Sequence, residues 1–269
     1  MKTLFNVDGY MYRLVSEPVY GKQDVGVTPG GPVDRTSFEI AKRLVSNKSS
    51  HKSQILEFTL DNTKITITKR CAWVVTGAKR DVLLNGELVK MYSTYTSEIG
   101  DVITFSNRSL GSVSYFMVTP NYGNFIHKSI SVDYSKWYDD CIRVIKGPEY
   151  DLLPNPDNLF SNYWVTSNEM SNMGIKLNSR DNNVDLPDNF NMVSGPVADG
   201  TIQVTNKGPI VLMRHRQTVG GYARGYSVID CDVDRLAQYL PNQMLKFKLI
   251  TLDEAFDINK KFGDYLNEF

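Results

Sequence analysis

The stretch KITITKRCAWVVTGAKRDVLLNGELVKM, residues 64–91, decides the fold class of this 269-residue chain. Lys64–Thr68 alternates apolar and polar side chains, which is the period of a half-buried strand. Ala72–Thr76 is a continuous apolar run, as in a buried strand. Asn85-Gly86 separates two further apolar runs and predicts a β-hairpin, because a type I′ turn needs positive φ at both central residues. The stretch therefore predicts a series of short antiparallel strands.

Similar short strands recur along the rest of the chain, and few segments have the pattern of a helix. Asp34 is placed to cap a helix that follows it. A second, short helix is predicted at Asp234–Leu240, where Pro241 ends it. Thr251–Glu254 is a capping box that opens a C-terminal helix. The pattern predicts a mainly β protein with a few helices.

A turn followed by a strand ending in Phe occurs twice, at Gly100–Phe105 and at Asn242–Phe247. This spacing indicates two related β modules rather than a solenoid of short repeats. We therefore predict one module over residues 1–140 and a second over residues 141–269. An exchange of elements between the two modules stays open.

Composition and charge exclude several classes of protein. Lys and Arg together number 30, as do Asp and Glu, and this zero net charge disfavours sequence-independent nucleic-acid binding. There is no apolar run of the roughly 20 residues that span a bilayer, and Asp8 interrupts the first segment, so we expect a cytoplasmic protein. The three cysteines and three histidines do not have metal-ligand spacing, so no metal site is predicted.

Two glycine-containing loops are candidate binding elements. The loop GVTPGGPVD, Gly26–Asp34, contains Gly30 and Gly31, and its backbone N–H groups could bind an anion. Thr76-Gly77, with the Asn85 turn, could present a hydroxyl group and an accessible backbone. The alternative for the first loop is a structural loop that ends in a helix cap. The alternative for Thr76-Gly77 and the Asn85 turn is a tight corner of a sheet.

A third candidate is the stretch GTIQVTNKGPIVLMRHRQTVGGY, Gly200–Tyr222. Gln203 is polar in the middle of a strand, where it needs a partner. After an apolar strand comes a polar cluster that begins with Arg214 and continues with four residues predicted to be catalytic, His215, Arg216, Gln217 and Thr218. The possible substrate-binding residues Gly220, Gly221 and Tyr222 follow it. Such a cluster can bind a carboxylate, a carbonyl group or a phosphate. The alternative is a solvated surface turn.

Together these segments resemble the family of the C-type subunit of 5-oxoprolinase, also called allophanate hydrolase subunit 2 or the KipA family. The chain is also similar to half of the carboxyltransferase domain of biotin-dependent urea carboxylase. The matching blocks, in chain order, are VGVTPGGPVDRTSFEIAKRLVSN (25–47), ILEFTL (55–60), VVTGA (74–78), LNG (84–86), GDVITF (100–105), RVIKGPE (143–149), NMGIKL (172–177), GTIQV (200–204), PIVLM (209–213), RQTVGGY (216–222) and LAQYLPNQMLKF (236–247).

The resemblance implies two cyclophilin-like β-barrel modules. It implies a B-type partner subunit, in a heterodimer or heterotetramer, and an A-type subunit for ATP-dependent opening of 5-oxo-L-proline to L-glutamate. No cofactor would be bound covalently: the complex would use ATP, and any biotin would be carried by another chain. A non-catalytic, regulatory partner of a B-type subunit and a carboxyltransferase acting on a urea-like amide are the alternatives.

The chain departs from the family pattern in Ser16–Gly21, where the arginine of the family's Asp-x-Gly-Arg-x-Gly motif is missing, and at three single positions. Asn172 and Lys176 stand where the resemblance leads us to expect arginines, and His215 stands where an aspartate is expected. Asparagine has no charge, and lysine cannot bind a carboxylate in the bidentate manner of arginine. These differences favour a divergent substrate or a regulatory role over an unchanged activity.

Overall fold

The computed structural model of the chain describes residues 3–45, 53–120, 125–133, 140–180 and 191–269. The chain divides into two units. The first comprises Met1–Ser16, Asp34–Asp133 and Leu266–Phe269, and the second comprises Glu17–Val33 and Tyr134–Tyr265. The predicted boundary at residue 140 stays a prediction, and residues 134–139 beside it lie outside the described ones.

The first unit is built on an eight-stranded sheet. Its elements are β1 (Phe5–Asp8), β2 (Tyr12–Val15), α1 (Arg35–Val45), β3 (Gln54–Phe58), β4 (Lys64–Ile67), β5 (Cys71–Leu84), β6 (Glu87–Val89), β7 (Thr94–Ser97) and β8 (Val102–Thr119). The strand order is β1-β4-β8-β3-β2, and β5 pairs with β6, β7 and β8. All of these pairings are antiparallel.

The two long strands, β5 and β8, curl this sheet into a barrel-like form. The first half of β5 pairs with the end of β8, and its second half pairs with the start of β8, with register shifts near Lys79. Such irregularities bend a strand and increase its twist. The curled sheet encloses an apolar core that includes Phe58, Trp73, Ile103 and Phe116, each fully buried.

Two local predictions for this unit are confirmed. Asn85 and Gly86 have φ values of 52° and 89°, and Leu84 pairs with Glu87 across the hairpin. Asp34 caps α1, since its Oδ1 accepts a hydrogen bond from the Ser37 backbone N–H at 2.9 Å. The sequence therefore predicted both the turn chemistry and the start of the helix.

Gly77 lies where β5 closely approaches the backbone of the neighbouring strand β8. Its φ is 92°, and a Cβ atom there would lie 2.4 Å from the Val113 carbonyl oxygen. Gly100 has a similar φ of 94° but open space around the equivalent position. We expect Gly77→Ala to lose about 2 kcal/mol more folding free energy than Gly100→Ala, because only the first substitution adds a backbone clash to the strain. Urea unfolding of the two variants measures the difference, and equal losses would contradict this explanation.

The second unit is built on a nine-stranded sheet. Its strands are β9 (Ile142–Lys146), β10 (Trp164–Met170), β11 (Gly174–Ser179), β12 (Asn191–Pro196), β13 (Thr201–Thr205), β14 (Gly208–Leu212), β15 (Val219–Val228), β16 (Met244–Leu245) and β17 (Phe247–Leu249). Its helical segments are α2 (Asn158–Ser161), α3 (Asp230–Ala237) and α4 (Leu252–Leu266), with 3-10 turns at Gln23–Val25 and Tyr150–Leu152.

This sheet also curls, with the order β16-β10-β11-β14-β13-β15-β9-β17 and with β12 on β15. The pairing of β17 with β9 is parallel. The buried core includes Trp164, Leu177 and Ile202 from the strands and Val233 and Leu236 from α3. The two curled sheets confirm the predicted fold class of two β-barrel modules with a few helices.

The two predicted helices of the C-terminal half have different outcomes. The capping box at Thr251 and Glu254 is confirmed: the Glu254 carboxylate accepts from the Thr251 N–H, and the Thr251 hydroxyl accepts from the Glu254 N–H. The helix predicted at Asp234–Leu240 instead spans Asp230–Ala237. The prediction starts too late because it leaves out Asp230 and Asp232, the acidic residues of the first turn.

Candidate functional site

The second unit contains most of the predicted site residues, and the connection between β14 and β15 positions them. This connection, Met213–Thr218, directs successive side chains to different neighbours. Arg214 points toward α3, His215 contacts the Gly26–Asp34 loop, and Arg216 contacts Asp199. The polar cluster predicted from the sequence is therefore divided among three sets of partners.

Arg214 is fully buried and is surrounded by three carboxylates. Its guanidinium lies 3.2 Å from Asp199, 2.6 Å from Asp230 and 2.7 Å from Asp234. Burial alone would lower the pKa of Arg214, but the Asp234 and Asp230 carboxylates outweigh it, and the net shift is upward. The residue fastens the β14–β15 connection to α3, and its guanidinium is occupied by protein carboxylates rather than open to a ligand.

Arg216 is also buried, and it lies beside Asp199, one of the three aspartates that contact Arg214. Its Nε lies 3.1 Å from Asp199 Oδ1, and its Nη1 donates to the Gln217 carbonyl oxygen at 3.2 Å. When the Gln23 amide is oriented to satisfy both of its polar atoms, its oxygen accepts from Arg216 Nη2 at 2.7 Å. Arg216 thus joins the 3-10 turn at Gln23–Val25 to the β14–β15 connection.

His215 joins the predicted glycine loop to this connection. Its Nε2 lies 2.8 Å from the Gly31 carbonyl oxygen, which can only accept, so Nε2 carries the proton. The backbone N–H of His215 donates to the carbonyl oxygen of Asn172 at 2.9 Å. Two of the three candidate segments, Gly30-Gly31 and Gly200–Tyr222, are therefore brought together within the second unit.

The positions that depart from the family pattern lie beside this connection. Asn172 is in the exposed turn between β10 and β11, where its carbonyl oxygen contacts His215. Lys176 is on β11 and forms an ion pair with Glu169 at 3.1 Å. The turn therefore lacks the positive charge of the arginine expected at position 172. At position 176 a lysine that is paired with Glu169 replaces the expected arginine.

The side chain of Gln203 packs directly against the backbone of Gly220. Gln203 is 3 % exposed, and its Nε2 atom has no hydrogen-bond partner among the residues that the structure describes. A Cβ atom on Gly220 would lie 2.3 Å from that nitrogen. The amide of Gln203 therefore occupies the space that a larger residue at position 220 would fill.

The remaining predicted residues of this stretch line the start of β15. Gln217 and Thr218 are half-buried, and the Thr218 carbonyl oxygen accepts from the Val197 N–H at 3.1 Å. Gly220 pairs with Gly195 on β12, and Tyr222 is largely exposed at the same edge. The roles predicted for these residues in catalysis and binding stay predictions.

A partly buried ion pair, which the sequence analysis missed, joins Arg224 of β15 to Glu149, which follows β9. Arg224 donates to both carboxylate oxygens of Glu149 and to the Pro196 carbonyl oxygen. Hydrogen bonding from Arg224 is the largest cause of the lowered pKa of Glu149. The sequence signal was weak, because Glu149 lies 75 positions before Arg224.

The lowered pKa of Glu149 gives a prediction about acid stability. Glu149→Gln is expected to cost about 2 kcal/mol at pH 7, because Arg224 loses a charged partner. A carboxyl group with a depressed folded pKa stabilises the fold above its unfolded value of 4.5, and this contribution is lost as the pH falls through the lower folded value. The gap between the variant and the unmodified chain should therefore close below pH 4.5. Urea unfolding from pH 7 to pH 3 measures this difference in unfolding free energy. Glu169→Gln is the matched control, because Glu169 forms an exposed ion pair.

Three predicted residues, Thr76, Gly77 and Asn85, lie in the first unit. Thr76 is fully buried, and its hydroxyl donates to the Ser37 carbonyl oxygen at 2.8 Å. Asn85 donates to the Asp101 carboxylate from its place in the hairpin turn. Packing and turn geometry account for these residues, and their predicted part in substrate binding stays a prediction.

The cysteines and possible metal ligands give no further chemistry in the part of the chain described. Cys71 and Cys231 are buried, and burial raises the pKa of each thiol to about 12, so neither is a thiolate at neutral pH. Among the described residues, no three His, Cys, Asp or Glu side chains are grouped to hold a metal ion. Nor is any described helix long and apolar enough to cross a bilayer.

The fold and the matched segments define the class of protein. Residues 25–125 and 120–249 match the carboxyltransferase domain family, subdomains A and B, and the chain belongs to that family. It is similar to the C-type subunit of 5-oxoprolinase from Haemophilus influenzae, with 22 % identity over 93 % of this chain and 91 % of the relative. The corresponding protein of Escherichia coli is 24 % identical over the same shares.

Solved structures support the same fold. The Kluyveromyces lactis urea amidolyase structure matches 98 % of this chain and 20 % of its own, with a TM-score of 0.80 and 18 % identity. The crystal structure of TTHA0988 matches 88 % of this chain with a TM-score of 0.74 and 19 % identity, and this chain spans 53 % of it. The chain thus spans about half or less of these solved chains.

Proposed function

We propose that this chain is the C-type subunit of an ATP-dependent 5-oxoprolinase complex, which opens 5-oxo-L-proline to L-glutamate. The proposal includes a B-type partner subunit and an A-type subunit, with ATP used by the complex and no cofactor bound covalently to this chain. The observation that supports it most is the similarity to the C-type subunits of two 5-oxoprolinases across nearly the whole of both sequences.

The geometry of the second unit is consistent with a small substrate that has a carbonyl group. Gln203 has a buried amide nitrogen without a hydrogen-bond partner among the described residues, and this nitrogen packs against Gly220 of β15. His215 and Arg216 hold the glycine loop and the 3-10 turn against the same connection. In this proposal these two residues position the site, and Gln203 contacts the substrate.

Reconstitution tests the proposal. The chain is co-expressed with the B-type and A-type subunits of its own source, and ATP hydrolysis by the purified complex is measured with and without 5-oxo-L-proline. Stimulation of ATP hydrolysis that requires this chain supports the proposal. A stable complex without turnover contradicts it and supports a regulatory role, for which the missing charge at Asn172 is the motivating observation.

A second candidate is carboxyl transfer to a urea-like amide, which the family match favours. In that case a biotinylated carrier on another chain supplies the carboxyl group. Avidin, which sequesters biotin, distinguishes the two candidates. It should abolish urea-dependent turnover if the chain is a carboxyltransferase and leave 5-oxo-L-proline-dependent turnover unchanged if it belongs to a 5-oxoprolinase.

A further inference from the structure

The Asn85-Gly86 turn exposes a chemically reactive dipeptide to water. It is the only Asn-Gly pair in the sequence, and both residues are exposed at the tip of the hairpin between β5 and β6. The backbone nitrogen of the residue after an asparagine can attack the carbon of the side-chain amide. A glycine, which has no Cβ atom, hinders this attack least. The turn therefore contains the groups that spontaneous deamidation requires.

Three hydrogen bonds hold Asn85 against the start of β8. Its Nδ2 donates to Asp101 Oδ1, its Oδ1 accepts from the Val102 N–H, and its own N–H donates to the Val102 carbonyl oxygen, each at 2.8 Å. Both polar atoms of the amide are engaged in this way. Because ring closure brings the amide carbon to the Gly86 nitrogen, the side chain must first rotate out of these bonds.

Asp101 is itself held in place as the acceptor of the Asn85 amide. Its Oδ2 accepts from the Glu98 N–H at 2.8 Å. Burial acts to raise the pKa of Asp101, but hydrogen bonds from Asn85, Glu98 and Ser97 outweigh it, and the net shift is downward. The acceptor is therefore a carboxylate at neutral pH, and a hydrogen bond to a charged acceptor is stronger than one between neutral groups.

We propose that Asn85 is a site of spontaneous deamidation and that its contacts with Asp101 and Val102 set the rate. The Gly86 nitrogen loses its proton and forms a bond to Asn85 Cγ, the Cγ–Nδ2 bond breaks, and ammonia leaves. Water then opens the resulting succinimide ring and leaves an aspartate or an isoaspartate at position 85. The reaction proceeds from the molecules in which the hairpin has opened locally.

The modified turn cannot re-form its contacts at neutral pH. In the native turn an amide nitrogen donates to Asp101 Oδ1 at 2.8 Å. After deamidation an ionised carboxylate stands in its place, has no proton to donate, and is repelled by the Asp101 carboxylate. Deamidation would therefore detach the hairpin from β8 permanently. This chemistry is independent of the reaction proposed above.

Asn107 provides an internal control for the test. Its φ of 49° is close to the 52° of Asn85, it is also exposed, and its Nδ2 donates to Asp81 Oδ2 at 2.7 Å. The residue that follows it is Arg108 instead of a glycine. The two sites thus share backbone conformation and a carboxylate contact, and they differ in the attacking residue.

Incubation at neutral pH, followed by digestion and mass spectrometry, measures deamidation of both asparagines in the same sample. The samples are the folded chain, the chain unfolded in guanidinium chloride, Asp101→Ala and the matched variant Asp81→Ala. Circular dichroism establishes which samples are folded. We expect Asn85 to deamidate about 10-fold faster or more in Asp101→Ala than in the folded chain, because a charged hydrogen bond no longer has to break.

The other samples separate the site from its protection. Asn85 should react at least as fast in the unfolded chain as in Asp101→Ala, and Asp81→Ala should leave its rate unchanged. Asn107 should stay intact in each folded sample while Asn85 reacts. Equal rates for Asn85 in the folded chain and in Asp101→Ala would overturn the role of these contacts. If Asp101→Ala does not fold, equal rates in the folded and unfolded chain would do so, and an unreactive Asn85 in the unfolded chain would overturn the site itself.

An exchange of the two side chains tests the consequence of the modification. Asn85→Asp, which reproduces one product, should lower the melting temperature at pH 7. Adding Asp101→Asn should restore most of the loss, because an asparagine at position 101 can donate to the new carboxylate and still accept from the Glu98 N–H. A melting temperature that Asn85→Asp leaves unchanged, or that the exchange does not restore, would overturn the predicted detachment of the hairpin.

Discussion

Replacing Arg214 with methionine is expected to destabilise the second unit by about 3–5 kcal/mol, because the change removes the guanidinium from a buried ion cluster. Arg214 contacts Asp199, Asp230 and Asp234, and its own side chain is inaccessible to solvent. Without it, the largely buried carboxylates of Asp199 and Asp234 each lose the Arg214 guanidinium as a partner. Urea unfolding at pH 7, followed by circular dichroism, measures the loss.

The matched control is Arg70→Met. Arg70 forms an ion pair with Glu98 in which both side chains are more than half exposed. Exposed pairs contribute about 0–1 kcal/mol, so this variant should unfold almost as the unmodified chain does. A loss of less than about 1 kcal/mol for Arg214→Met would show that the three aspartates do not depend on Arg214.

Replacing Arg216 with lysine is expected to lower kcat/KM of the reconstituted complex by about 100-fold, with a smaller effect on stability. Arg216 contacts Asp199, the Gln217 carbonyl oxygen and the Gln23 amide at the same time. Lysine keeps the charge but cannot reproduce this planar set of contacts. The 3-10 turn and the β14–β15 connection would then shift relative to each other.

Two observations check the interpretation of Arg216→Lys. Arg70→Lys, an exposed substitution of the same type, should leave kcat/KM unchanged. Turnover within a factor of two of the unmodified complex for Arg216→Lys would contradict a positioning role for the guanidinium. A loss confined to KM would instead indicate that Arg216 contributes equally to ground-state and transition-state binding.

Those parts of the fold that depend on interactions between neighbouring residues could be predicted from the sequence. The Asn85-Gly86 turn, the Asp34 cap and the Thr251–Glu254 capping box each depend on residues within a few positions of one another. Strand alternation likewise predicted a mainly β fold. The boundaries of α3 were harder to predict, because its first turn contains aspartates beside an apolar strand.

The site was predictable only in part. The stretch Gly200–Tyr222 was identified because its polar residues follow an apolar strand, but nothing local indicates that Arg214 is bound by aspartates on α3. Asp199 and Glu149 were missed for the same reason, since their partners are 15 and 75 positions away. Chemistry that depends on pairing across a sheet becomes visible only in the structure.

The most direct test of the proposed function is the release of L-glutamate from 5-oxo-L-proline when this chain is added to its A-type and B-type partners. The proposal predicts ATP-dependent glutamate formation that requires this chain and falls about 100-fold with Arg216→Lys. Glutamate formation that is the same with and without the chain, or absent in both cases while the three proteins form a stable complex, would contradict it.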